Sequence, residues 1–85
     1  MVRFRWNDWN LDHVMKHGVS AAEAESIVRG AIRPWPQRRG REKWVVEGRG
    51  VGDRPVRVVY VIDYDNTLYV IHAMPLSTRR RRRSR

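Results

Sequence analysis

The sequence predicts an α+β domain, with a short N-terminal strand and two N-terminal helices packed on an antiparallel sheet of three to four strands. Three observations predict it. Lys16-His17-Gly18-Val19-Ser20 reads as a helix end, a turn and the next helix start. From Lys43 onward, helical spacing gives way to valine-rich and aromatic runs suited to strands. The chain has 85 residues and no cysteine, so it builds one modest core without a disulfide or thiolate metal site.

Taken in order, Phe4 and Trp6 alternate with Arg3 and Arg5, which predicts a short strand with one buried face. Asn7 or Asp8 can cap the helix that follows. Trp9, Leu11, Val14 and Met15 are its expected apolar side, and Gly18 can take the left-handed conformation that closes it. Lys16 and His17 fall at its C-terminal end, where positive side chains suit the helix dipole. Ser20 and Glu23 have the S-x-x-E spacing of a capping box. The second helix then runs from about Ala21 to Arg29, with Ala21, Ala24, Ile27 and Val28 inward and Gly30 as its stop.

Pro34-Trp35-Pro36 cannot be a helix interior or a central strand, so with Gln37 to Arg41 it reads as an edge segment and a basic loop. Lys43 to Glu47 is a strand. Gly48 to Asp53 is a turn-rich loop; its glycines suggest phosphate binding, but it lacks the strand–loop–helix setting that such loops require. Val56 to Ile62 is the strongest strand, apolar enough for both faces to be buried. Tyr64-Asp65-Asn66 turns the chain, and Leu68 to Ala73 returns as its partner.

Residues 1–78 form the single domain, and 79–85 an arginine-rich tail read as disordered. The net charge is +9, of which six positive charges lie in the tail, leaving +3 on the domain. Such a tail attracts RNA, DNA or an acidic protein segment, or is simply a solvated end. No apolar run is long enough to span a membrane and the N-terminus lacks a signal peptide, so the expected location is cytoplasmic.

For chemistry, His13 and His17 share a helix face as a possible metal pair, but no third ligand has recognisable spacing, and neither metal nor cofactor is expected. His72 sits in a half-buried strand and by alternation faces away from Ile71. It can act as general acid or base near neutral pH, or be a satisfied core histidine. Lys43, Arg49, Arg54 and Arg57 flank the strands, and Arg38, Arg39 and Arg41 crowd the preceding loop. RNA cleavage needs no cofactor when a 2′-hydroxyl attacks the neighbouring phosphate and cations stabilise its oxygens. Trp35, between two prolines, is the aromatic expected to be exposed for base stacking, whereas Trp44 and Tyr69 are expected in the core.

The pattern resembles the BrnT-type toxins, RelE-like ribonucleases of type II toxin–antitoxin pairs. The matching residues are Phe4-x-Trp6, Lys16-His17-Gly18-Val19-Ser20-x-x-Glu23-Ala24, Gly48-Arg49, Arg54-Pro55-Val56-x-Val58-Val59-Tyr60 and Val70-Ile71-His72-Ala73-Met74-Pro75-Leu76. The resemblance implies a RelE-like fold and an endoribonuclease that arrests translation. It also implies a cognate antitoxin with a ribbon–helix–helix part, and promoter DNA bound only through that complex. On this reading His72, Arg49, Arg54 and Lys43 are the catalytic candidates, with Arg38, Arg39, Arg41, Trp35, Arg79, Arg80 and Arg81 binding RNA. The late strand carries Met74 where the family commonly has arginine, and Ser77-Thr78 runs straight into arginines where the family often ends after a glutamate and a tyrosine. The alternatives are a catalytically degenerate module that binds nucleic acid or antitoxin without cleavage, and a pure protein-interaction domain.

Overall fold

The computed structural model describes residues 2–76, so Arg79, Arg80, Arg81 and the rest of the tail lie outside the described residues. The chain is α+β. Strand β1 (Phe4–Arg5) leads into helices α1 (Asp8–Met15) and α2 (Ala21–Arg29). Strands β2 (Gln37–Arg39), β3 (Lys43–Arg49), β4 (Pro55–Ile62) and β5 (Leu68–Pro75) follow, with a short 3₁₀ turn, Val51–Asp53, between β3 and β4. The sheet has five strands in the order β1-β5-β4-β3-β2. β2 to β5 form the expected antiparallel sheet, with four strands, and the N-terminal strand joins it as a parallel edge, which makes the whole sheet mixed. β1 runs parallel to β5, in register Phe4 with Leu68, and the Leu68 amide donates to the Arg3 carbonyl at 2.8 Å. The connection between these two strands runs through both helices and through β2, β3 and β4, long enough for the crossover that a parallel pair requires.

The helix junction follows its residues closely. Asn7 caps α1, its side chain accepting from the Asn10 amide while the Asn10 side chain accepts from the Asn7 amide. At the other end Gly18 adopts φ +77°, and its amide and that of Val19 donate to the carbonyls of Met15 and Val14. This double closure satisfies carbonyls the helix would otherwise leave bare. Ser20 Oγ then accepts from the Glu23 amide at 3.0 Å to open α2. The expected capping box is only half formed, because the Glu23 carboxylate turns away to other partners.

Val14, Val19, Ala24, Ile27 and Val28 from the helices meet Val46, Val56, Val58, Tyr60, Leu68, Val70 and Ala73 from the sheet in one core. Covering one sheet face leaves the other open, which corrects the reading of β4. Val56, Val58 and Tyr60 are buried, while Arg57, Val59 and Val61 alternate with them and stay partly exposed. In α1 the buried positions are Asn10 and Val14, so Trp9 and Met15 project outward at 52% and 63% exposure instead of packing inward. Trp35 is half-buried against the core rather than exposed, as is Trp44. Tyr69, expected in the core, lies outside it. Its ring stacks near Trp9, with the Arg5 guanidinium 4.1 Å from its centroid.

Candidate functional site

The open face of the sheet carries a hollow of about 430 Å³, lined by Arg39, Lys43, Val45, Arg57, Val59, Ile71 and His72. Strand register brings them together. Arg39 lies opposite Lys43, Val45 opposite Val59, and Val59 opposite His72. Val45, Val59 and Ile71 make an apolar floor, with cations at the rim. Such a surface is suited to a planar apolar group next to a phosphate.

A β-bulge sets the position of His72. Val59 pairs with His72 and Tyr60 with Val70, so Ile71 has no cross-strand partner. At a bulge two consecutive residues oppose one, and strict alternation is lost. Ile71 and His72 therefore line the same hollow, contrary to the opposite facing expected from period-2 alternation.

The His72 ring also meets His17, from the end of α1, edge-to-face with ring centroids 5.3 Å apart. Partial burial holds the His72 imidazole below its ordinary pKa, and the neighbouring charges of His17, His13 and Arg57 add to the effect. All four influences disfavour the imidazolium, leaving His72 a neutral acceptor near pH 7. His13 stacks on Trp9 at 4.0 Å. Among the described residues, no group of three histidine, aspartate or glutamate side chains could hold a metal ion.

The four catalytic candidates do not share one site. Lys43 and His72 line the hollow. Arg49 lies at the far end of β3, donating to the Asp53 carbonyl at 3.2 Å and lining a shallow depression with Ser20 and Gly50. Arg54 is engaged in the fold: its Nη2 donates to Glu23 Oε1 and to the Gly18 carbonyl, both at 2.7 Å, and its Nε to Glu23 Oε2 at 3.1 Å. The Val51 amide also donates to Glu23 Oε2, at 2.8 Å. The Arg54 hydrogen bond, followed by that amide, lowers the Glu23 pKa against the opposing effect of burial. This clamp also accounts for the glycine loop. A Cβ at Gly50 would overlap the Glu23 carboxylate, so the glycine there serves close approach to an acidic group, not to a phosphate.

Among the RNA-binding candidates, Arg39 lines the hollow and Arg41 lies in the adjoining turn. Arg38 is on the other side of β2, its Nη2 donating to the Arg41 carbonyl at 2.8 Å and its guanidinium 5.8 Å from the Trp44 ring centroid. Two residues not named among the site candidates are brought to the hollow or to its histidine. Arg57 lines it while paired with Glu47 at 2.7 Å, and its alternation with Val59 along β4 was a usable signal. His17, read as an end-of-helix residue plausible at the rim and as a possible metal partner of His13, meets His72 through a tertiary contact with no local signature. No family model, curated protein or solved structure matches this chain.

Proposed function

We propose that this chain is the toxin of a type II toxin–antitoxin pair, a metal-independent endoribonuclease of RelE-like fold and BrnT type. The observation that carries the reading is His72: a neutral, half-buried imidazole in an apolar hollow rimmed by Lys43, Arg39 and Arg57. A neutral imidazole can take the proton of a 2′-hydroxyl as the oxygen attacks phosphorus. Cations at the rim stabilise charge that gathers on the phosphoryl oxygens. Arg57 lies opposite Met74, so a guanidinium stands one strand away from the position where the resembled family commonly carries arginine. The partner on this reading is an antitoxin with a ribbon–helix–helix part, promoter DNA being bound only through the complex, and the setting is cytoplasmic. Among the described residues no helix is long and apolar enough to cross a membrane.

Expressing the full chain alone in bacteria and mapping cellular RNA ends tests the proposal. Growth arrest with new RNA ends is expected, and both are lost in His72→Ala. Intact RNA in growing cells would count against cleavage. A second reading is a module that binds RNA or antitoxin without cutting. It is favoured by the ion pairs that engage Arg54 and Arg57, which leave fewer guanidinium groups for phosphate. Salt-dependent RNA binding without product would mark it.

A further inference from the structure

Resting on the ribonuclease reading, we propose that His17 and His72 are a catalytic pair, His72 the general base and His17 the general acid that protonates the leaving 5′-oxygen. Two imidazoles from different elements, the end of α1 and the bulge of β5, meet edge-to-face at 5.3 Å. Their surroundings differ. His72 is half-buried among Val59, Ile71 and Arg57, whereas His17 is exposed to solvent beside Lys16, at the helix end whose dipole suits a cation. One imidazole that takes a proton and one that gives a proton are what a transfer requiring a base and an acid together needs.

The step balances without a co-reactant. The neutral nitrogen of His72 takes the 2′-hydroxyl proton as that oxygen forms its bond to phosphorus. The P–O5′ bond breaks with its electron pair on oxygen, and His17 delivers its proton there. The products are a 2′,3′-cyclic phosphate and a 5′-hydroxyl. Lys43 and Arg39 line the hollow from β3 and β2, placed to meet a phosphate bound there, while Arg57 from β4 and His13 from α1 are the other charges near His72. Burial first, and then the charges of His17, His13 and Arg57, hold His72 toward the neutral form the base role requires, with Glu47 paired to Arg57.

The test compares the full-length wild type, His17→Gln and His72→Gln on two oligoribonucleotides across pH. One has an ordinary linkage; the other has sulfur in place of the bridging 5′-oxygen. Thiolate leaves without protonation, so a general acid is dispensable on the second. Wild type is expected to give a bell-shaped kcat/KM profile on the ordinary linkage. His17→Gln is expected to lose about 100-fold or more in kcat there, with little change in KM and no alkaline limb. On the sulfur linkage it should return to within a few-fold of wild type, while His72→Gln stays slow on both. Equal losses for His17→Gln on both linkages, or none on either, overturn the pair while leaving the ribonuclease reading intact. Wild type that cleaves neither oligonucleotide overturns the ribonuclease reading and the pair with it.

Discussion

Glu23 shows how one residue redirects a functional reading. From sequence it is the second half of a capping box, and Arg54 is a phosphate ligand. In the folded chain the two form a bidentate pair, with Glu23's side chain only 4% exposed and the Val51 amide and the Gly18 carbonyl completing the network. Arg54 thus fastens the β3–β4 loop to the helix junction. Replacing Glu23 by Gln keeps the shape and removes the charge, and is expected to cost about 2 kcal/mol in urea unfolding at pH 7, as for hydrogen bonds to charged groups. The pH dependence has a definite sign. The folded pKa of Glu23 lies below its ordinary 4.5, so its contribution is whole above that value and is lost as pH falls through the folded pKa. Wild type and Glu23→Gln should therefore converge in stability on acidification. A constant gap from pH 7 to pH 3 would refute the charge-based account. The Ser20 cap was legible because it is local; the destination of the carboxylate was not, because its partners lie 28 and 31 residues away.

At the scale of elements, α1 is where a local pattern misleads. Eight residues give too few turns for apolar spacing to define a face, and Trp9, Leu11, Val14 and Met15 suggest a stripe the fold does not use. Contact with β5 selects Asn10 and Val14 instead. Asn10 is fully buried with both polar atoms of its side-chain amide partnered. Its Oδ1 accepts from the Asn7 amide at 2.7 Å, and its Nδ2 donates to the Arg5 carbonyl at 3.1 Å, tying α1 to β1. Asn10→Ala removes both hydrogen bonds at a buried position, for an expected loss of about 2 kcal/mol and about 10 °C in Tm. Trp9→Ala, which a core position would make costly, is expected to lose about 1 kcal/mol at most, given its exposure. Thermal melts that rank the two variants the other way would show that the apolar stripe carries the helix. The Asn-x-x-Asn spacing was readable in principle as a capping box, though not through the commoner Ser-x-x-Glu template. α2 needed less correction: Ala24, Ile27 and Val28 are buried as expected, while Ala21 is only partly buried and Glu23 is buried beside them.

For the molecule as a whole, function turns on which sheet face the helices leave open. That choice gathers Arg39, Lys43, Arg57 and His72, dispersed over 34 positions of sequence, around one hollow. Residue types and strand order were legible beforehand. The gathering was not, since it depends on register across three strand pairs and on a bulge with no glycine to announce it. Net charge blurred the picture further, because six of the nine excess positive charges sit in the tail and say nothing about the sheet. Salt titration of RNA binding separates the contributions. Each phosphate contact on a single strand adds about 0.7 to the slope of log K against log salt concentration, through counterion release. Replacing both Arg39 and Lys43 by Ala is expected to lower that slope by about 1.4, if each holds one phosphate. Among the described residues neither belongs to an ion pair, so both charges are available to a polyanion. Arg54→Ala should leave the slope unchanged while weakening the fold, because its charge is already matched by Glu23. A slope that falls with Arg54→Ala and holds in the Arg39/Lys43 double variant would move the RNA path from the open sheet face to the helix junction.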